Sequence, residues 1–263
     1  MVYYIIIAIV CFFASVIGAI CGIGGGVIIK PVLDATGILP VTTISFLSGC
    51  TVLSMSVVSL YKNIIRKKCY QFNKDFAVVI SSGSAVGGLV GKELYQSALS
   101  HLTDASNIGS IQAFVLTVIT MGTLLYSLKK NTIKTKKIRN KVVIFLVGAI
   151  LGIMSSFLGI GGGPINLVVL FYFFSMETKE AVLYSISIIM FSQVSNLLST
   201  IVQDNVPGYS PYVLGLMIAC GILGGIVGSY INEKVDNSTV DKLFLGLMNI
   251  IILINIYNIV RYL

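Results

Sequence analysis

The sequence predicts an all-α polytopic membrane protein made of two inverted-topology repeats, each a glycine-broken hairpin followed by three transmembrane helices. Three observations predict this fold. The chain of 263 residues is 56% hydrophobic and only 11% charged, whereas soluble domains are about 25% charged. A glycine-dense pentapeptide occurs twice inside long apolar stretches, at 22–26 and 159–163. The basic residues are concentrated in two polar segments, 62–74 and 129–141.

Eight apolar runs have the length needed to cross a bilayer, about 20 residues. The first run has no basic segment before it and leads directly into a glycine cluster, so we expect it to be retained rather than cleaved as a signal peptide. A short apolar piece after each glycine cluster is predicted to form the second arm of a hairpin. The predicted spans are 2–21, 41–61, 76–98, 109–128, 142–158, 181–202, 211–231 and 243–260.

The two halves of the chain align without gaps. The offset that relates the two glycine clusters also relates Ser48 to Ser185 and the glycines of 87–91 to those of 224–228. One register over most of the chain indicates an internal duplication. The predicted organisation is a first transmembrane repeat at 1–128, a basic cytoplasmic linker at 129–140 and a second transmembrane repeat at 141–263.

Loop charge predicts that the two halves are inverted in the membrane. The segment 62–74 is strongly basic, whereas its counterpart at 203–211 has no basic residue. If each broken segment is a hairpin, every basic residue except Lys30, Lys92 and Arg261 lies in a cytoplasmic loop, as the positive-inside rule describes. Long single spans with parallel halves satisfy that rule less well. Both chain ends are then expected outside.

The paired glycine clusters are predicted to form a binding site. Irregular backbone at membrane depth is tolerated only where protein or a water-filled cavity covers it, and paired interruptions are typical of transporter binding sites. Consecutive glycines let the backbone approach a ligand closely. Helix is expected to restart after each cluster, with Pro164 at the first helical position, and to present free N–H groups and a positive dipole end to an anion. Close helix packing is the alternative interpretation.

The candidate substrate-binding residues are the cluster glycines and nearby polar side chains. Ser48 and Ser185 are repeat counterparts, and Asn166 follows the second cluster by three residues. Lys30 is either a cation for the substrate or an anchoring residue that pairs with Asp34 on the same helical face or snorkels to the interface. The candidates are Gly24, Gly25, Gly26, Gly161, Gly162, Gly163, Asn166, Ser48, Ser185 and Lys30.

Other small and charged residues in the spans have simpler interpretations. The glycines of 87–91 and 224–228 have no interruption nearby, so we predict that they serve helix packing. Lys92 and Glu93 are interpreted as interfacial residues, with a proton or substrate relay as the alternative.

Catalysis and cofactor binding find little support in the sequence. His101 is the only histidine, and no Ser/His/Asp or metal-ligand cluster can be assembled around it. The glycine clusters lack the lysine and hydroxyl of a phosphate loop. We therefore expect no enzyme activity, no cofactor and no nucleic-acid partner. The expected partners are a small anionic substrate and membrane lipid, and a homo-oligomer is left open.

At these residues the chain resembles the sulfite exporter TauE/SafE family, also called the toluene sulfonate uptake permease family, of bacterial and plant membrane proteins. The resemblance rests on the glycine-rich segment 22–33, which closes in Pro-x-Leu, and on its second copy at 159–166. It extends over nearly the whole chain. The second copy has Pro164 where Val27 stands in the first, so the two half-sites are not expected to be equivalent.

This resemblance implies a secondary transporter of the bacterial cytoplasmic membrane for small sulfur-containing or organic anions such as sulfite, sulfoacetate or related sulfonates, working as an exporter. Alternating access is expected to come from one half or bundle rocking against the other. An anion channel built on the same glycine-lined hairpins is the main alternative. A membrane-embedded enzyme and a structural or assembly subunit are further alternatives.

Overall fold

The computed structural model of the protein describes residues 2–66, 73–101, 105–130, 132–160 and 162–262. These residues form ten α-helices, and the described part of the chain contains no strand. The all-α prediction is confirmed. The helices are α1 (Val2–Cys21), α2 (Gly26–Thr36), α3 (Val41–Arg66), α4 (Lys74–His101), α5 (Ala105–Leu128), α6 (Lys141–Leu158), α7 (Pro164–Phe174), α8 (Thr178–Val202), α9 (Pro211–Lys234) and α10 (Asn237–Tyr262).

Seven of the described helices are long and apolar enough to cross a membrane, judged by length and composition. α4, which was also predicted as a span, is not among them. It has 28 residues, but its serines, glycines and charged residues lower its hydropathy. α2 and α7, the pieces that follow the glycine clusters, have 11 residues each, about half the length of a full crossing.

Each glycine cluster lies at the tip of a helical hairpin. The N–H group of Lys136 in the linker donates to the carbonyl oxygen of Tyr172 at 2.7 Å, so the end of α7 lies beside the segment that precedes α6. In the first half, Leu33 of α2 belongs to the same buried cluster as Ile7 near the start of α1. Both short helices therefore return toward the start of the long helix before them.

α4 and α6 pack with their backbones in contact along a line of glycines. A Cβ atom added at Gly83, Gly87 or Gly91 of α4 would lie less than 3.0 Å from a carbonyl oxygen of α6. One added at Gly148 or Gly152 of α6 would meet a carbonyl oxygen of α4 in the same way. Real Cβ atoms do not show such separations, so these positions require glycine. The contacting pairs advance together along both helices, which makes α4 and α6 parallel.

The glycines of α9 have the same role between α1 and α3. The pairs again advance together, so α9 is parallel to both helices. The packing role predicted for the glycines of 87–91 and 224–228 is thus confirmed. The close pairs are Gly224 with Phe12 and Gly228 with Val16 in α1, and Gly221 with Thr51 and Gly225 with Met55 in α3.

α8 completes a parallel group with α4 and α6. The Ser84 hydroxyl of α4 donates to the Ile188 carbonyl of α8 at 2.8 Å, and one turn later Gly88 packs against the carbonyl of Ser192. We call α1, α3 and α9 the first bundle, and α4, α6 and α8 the second bundle. Each bundle therefore takes helices from both halves of the sequence. α5 and α10 pack on each other.

The two bundles run in opposite directions. Lys179 at the start of α8 donates to the Glu233 carbonyl at the end of α9 at 3.4 Å, and the segment 203–210 joins the other ends of these two helices. Because α8 is antiparallel to α9, α1 runs opposite to its repeat counterpart α6, and α3 runs opposite to α8. Opposite topology of the halves in a bilayer, their boundaries and the duplication itself stay predictions.

A cluster of polar side chains connects the start of the linker at 129–140 to α8 and α10 of the second half. Lys130 forms an ion pair with Asp241 of α10, and the Thr178 hydroxyl at the start of α8 donates to Asp241 Oδ1 at 2.9 Å. The cluster therefore joins three segments that are distant in sequence.

Asp241→Asn is expected to lower the free energy of unfolding by only about 1 kcal/mol or less, because solvent-exposed ion pairs contribute little. The side chains of Lys130 and Asp241 are 23% and 26% exposed. Salt should reduce the loss further. Thermal denaturation of the solubilised protein at low and high salt measures it, with Lys242→Gln as a control at the neighbouring exposed position. A loss of several kcal/mol would contradict this expectation.

Candidate functional site

The first interruption is the break between α1 and α2 at residues 22–25, and it follows directly from its glycines. After α1 ends at Cys21, Gly22 and Gly24 adopt the left-handed region with φ of 70° and 74°, which L side chains rarely tolerate. The Gly25 carbonyl accepts from the N–H groups of Ile28 and Ile29 at 3.0 and 2.9 Å, so helix restarts at once as α2. The N–H groups that precede this first turn have no acceptor within the helix.

The second interruption has the same outline but a different backbone path. Gly159 caps α6 in the left-handed region, Gly162 has φ of 130° and Gly163 is extended. α7 then begins at Pro164, as predicted. Gly161 lies outside the described residues. The backbone here differs from that of the first copy because proline fixes φ and removes one N–H donor at this point.

The two interruptions touch each other in the buried interior of the protein. A Cβ atom added at Gly26 would overlap the carbonyl oxygen of Ile160 and would lie 3.0 Å from the Ser48 hydroxyl. The first turn of α2 therefore rests on the backbone of the second interruption. Broken helix and close approach of the two clusters, both expected from the sequence, are present, while their role in binding an anion stays a prediction.

The two counterpart serines differ in their surroundings. Ser185 donates its hydroxyl to the Gly22 carbonyl, so it is bonded to the first interruption. Ser48 is fully buried, and its hydroxyl has no hydrogen-bond partner within the described part of the chain. Gln193 of α8, whose amide is also buried without a partner among the described residues, lies next to Gly49. Unpaired polar groups thus gather where α3 meets α8.

Asn166 is also buried, with 1% of its surface exposed, and neither its amide oxygen nor its nitrogen has a partner among the described residues. It borders a narrow space that α5 and α6 line with Leu116, Ile119 and Leu151. The structure therefore places Asn166 beside the second interruption, in a space that neither Ser48 nor Lys30 lines.

Lys30 lies inside the protein and forms an ion pair. It is 3% exposed, its Nζ lies 3.4 Å from Asp34 Oδ2, and it donates to Gln112 Oε1 of α5 at 2.6 Å. The snorkelling interpretation is therefore wrong, and the pairing with Asp34 is present. A Cβ atom on Gly159 would lie 3.6 Å from Lys30 Cε, so the lysine stem also borders the second interruption.

A cavity of about 450 Å³ lies between the two bundles. α3 borders it from the first bundle, and α4, α6 and α8 border it from the second. It extends from the exposed Asn205, in the segment that joins α8 to α9, to the buried Gly159 at the second interruption. None of the described candidate residues from the sequence lines it directly, although Lys30 lies immediately behind Gly159.

The wall of this cavity carries polar groups and one cation. Lys92 is the basic residue among the described lining residues, none of which is acidic. Its Nζ lies 5.3 Å from the centre of the Tyr95 ring, whereas the neighbouring Glu93 is exposed. The buried wall atoms without a partner in the described part of the chain are Ser45 Oγ, Tyr95 Oη, Gln96 Nε2, Ser156 Oγ and Asn196 Oδ1.

Lys92 and four of these atoms suit a small anion, whereas Asn196 Oδ1 can only accept a hydrogen bond. Hydroxyl and amide N–H groups donate hydrogen bonds to an oxyanion, and a nearby ammonium strengthens such bonds through charge. A wall without carboxylates avoids repulsion. Sequence reasoning missed Tyr95, Gln96 and Ser156, since isolated polar residues in apolar helices more often bond to their own helix. The signal available was the number of such residues in α3, α4 and α8.

The corresponding place at the first interruption is closed. Ser45, which faces Gly159 at the cavity, has Val182 as its repeat counterpart, and a Cβ atom on Gly22 would lie 2.7 Å from Val182 Cα. Lys179 at the start of α8 donates to the Glu233 carbonyl at the end of α9 at 3.4 Å, which joins the two bundles at the same end. The two bundles are therefore separated by a cavity at one end and packed together at the other.

Comparison with known proteins identifies the chain as similar to membrane transporters. Residues 7–255 match the family described as Sulfite exporter TauE/SafE. The chain is similar to the probable membrane transporter protein YunE of Bacillus subtilis (strain 168), with 21% identity over 258 residues that cover 90% of this chain and 91% of that protein. No solved structure matches. The family match covers nearly the whole chain, which therefore belongs to the sulfite exporter TauE/SafE family of membrane transporters.

Proposed function

We propose that the protein is a secondary transporter that exports small sulfur-containing or organic anions, such as sulfite or sulfonates, across the cell membrane. One observation carries the proposal: a cavity with Lys92, unpaired hydrogen-bond donors and no acidic residue in its described lining ends at a broken helix. We propose no catalytic role, in keeping with a family of transporters.

Alternating access in this proposal comes from the two bundles rather than from the two halves of the sequence. α4 and α6 belong to different halves yet touch through backbone atoms, as do α1 and α9, and such close packing resists relative movement. The cavity lies between the bundles at one end, and Val182 lies against Gly22 at the other. Rocking of one bundle against the other would close the first end and open the second.

The proposal predicts that a transported anion stabilises the purified protein. A ligand present at 100 times its Kd adds about 2.7 kcal/mol to the free energy of unfolding. In a thermal-shift screen of sulfite, sulfoacetate, methanesulfonate and thiosulfate, an anion that the protein transports should therefore raise the Tm of the protein. Lys92→Met should weaken binding about tenfold or more, since hydrogen bonds to charged groups contribute about 1.5–3 kcal/mol, while Lys137→Met, in the exposed linker, should not.

Transport assays separate the proposal from its main alternative. Proteoliposomes with a carrier should show saturable anion flux and counterflow, whereas a channel should give large single-channel currents without counterflow. Purified protein that moves none of these anions under any ion gradient would contradict both.

A further inference from the structure

A buried pair of opposite charges lies directly behind the inner end of the cavity. Lys30 and Asp34 are 3% and 7% exposed, and the atoms that pair them are 3.4 Å apart. Gly159 separates the pair from the cavity, because it lines the cavity and borders the Lys30 stem.

Gln112 positions the ammonium group next to the second interruption. Its amide oxygen accepts from Lys30 Nζ at 2.6 Å, and its amide nitrogen donates to the Phe157 carbonyl at 2.7 Å. Phe157 lies in the last turn of α6, where the helix dipole favours a cation. Lys30 is thus held at the point where the cavity, the end of α6 and the start of α2 come together.

An anion at Gly159 would change the charge balance of this region. With the cavity free of anion, Lys30 and Asp34 neutralise each other. An anion that interacts with Lys30 through the thin wall at Gly159 leaves one negative charge in excess, and uncompensated charge in a buried site is strongly unfavourable. The region therefore needs either a second cation or the loss of one negative charge.

Asp34 is the group that can lose that charge. Lys30 on its own helix and Tyr95 on α4 are two titratable groups near it. α5 contributes the amide of Gln112, and α10 contributes the amide of Asn258, which donates to the Pro31 carbonyl at 2.9 Å. Neither amide ionises. A carboxylate, unlike an ammonium group, carries a negative charge that a bound proton removes.

We propose that Asp34 takes up a proton when an anion occupies the cavity beside Lys30, so that the anion and the proton cross the membrane together. The proton comes from water and binds a carboxylate oxygen of Asp34, while the Lys30 ammonium keeps its protons and turns its charge toward the anion. No other bond changes. This inference rests on the proposed function. Export then requires an outward anion gradient that exceeds any inward proton gradient.

Calorimetric titration of the purified full-length protein in buffers with different heats of ionisation tests the proposal. The probes are methanesulfonate and thiosulfate, which stay fully ionised across neutral pH, so proton exchange comes from the protein. We expect uptake of about one proton for each anion bound and, at higher pH, a fall in affinity approaching about tenfold for each pH unit.

Asp34→Asn is expected to bind the anion without proton uptake and with an affinity independent of pH. Glu93→Gln is the matched control, because it removes an exposed carboxylate beside Lys92 and should keep the uptake. If Asp34→Asn does not fold, Asp34→Glu should keep the uptake but shift the pH at which affinity falls.

The outcomes distinguish this inference from the proposed function. Binding by the native protein without proton uptake, or uptake that persists in Asp34→Asn, would overturn the role of Asp34 but leave the proposed function standing. An unchanged pH profile in Asp34→Glu would do the same. If the native protein binds none of the sulfur anions in the thermal-shift screen, the proposed function fails and this inference fails with it.

Discussion

Gly26→Ala is expected to destabilise the protein severely and abolish anion transport. The added methyl group would overlap the carbonyl oxygen of Ile160, and a backbone atom at the tip of a hairpin cannot move aside as the end of a flexible side chain can. Overpacking costs about 1–3 kcal/mol in typical cores, and we expect about 3 kcal/mol here. The Tm of the purified protein and anion flux in proteoliposomes measure the two effects.

Gly122→Ala is the matched control for this substitution. Gly122 also lies within a helix, but a Cβ atom there would have no heavy atom within 4 Å apart from its chain neighbours and the nearby backbone of its own helix. Alanine should leave stability unchanged or raise it by up to about 1 kcal/mol through its helix propensity. If Gly26→Ala folds and transports as well as Gly122→Ala, the contact between the two interruptions does not support the structure as described.

Lys30→Met is expected to lower the free energy of unfolding by about 3–5 kcal/mol, because removal of one partner leaves the other charge buried and uncompensated. Asp34 is 7% exposed and lies 3.4 Å from the Lys30 ammonium. The double variant Lys30→Met with Asp34→Asn removes both charges and should recover most of the loss. Denaturation of the single and double variants gives the coupling energy of the pair.

The same variants distinguish the two roles considered for Lys30. If the lysine only anchors α2 through its ion pair, the double variant should regain anion binding together with its fold. If the lysine also acts on the substrate, the double variant should fold but bind anions weakly. A single variant that is as stable as the native protein would show that the pair is not buried as described.

The helices and their interruptions could be predicted because the relevant signals are local. Apolar runs identify the spans, and consecutive glycines followed by Pro164 identify where α7 begins. Gly87 was correctly assigned to packing because no interruption lies near it. Each of these inferences depends on a property that a residue and its neighbours in sequence carry with them.

The cavity could not be predicted because its wall is assembled from four helices. Nothing in the segment around Gln96 indicates which helix it will face, and Gln112 lies 82 positions from Lys30, to which it bonds. Asn166 shows that closeness in sequence to a glycine cluster does not place a residue in the cavity either. It follows a glycine cluster closely in sequence, yet it borders a separate space beside α5 and α6.

The exchange of helices between the bundles has a consequence for synthesis in the cell. The glycine face of α4 is covered by α6, and α1 is covered by α9, so the N-terminal helices reach the membrane before their partners have been translated. Until then their close-packing surfaces face lipid or translocation machinery. A chain cut within the linker should yield a stable protein only when both fragments are produced together, since neither fragment alone contains a finished core.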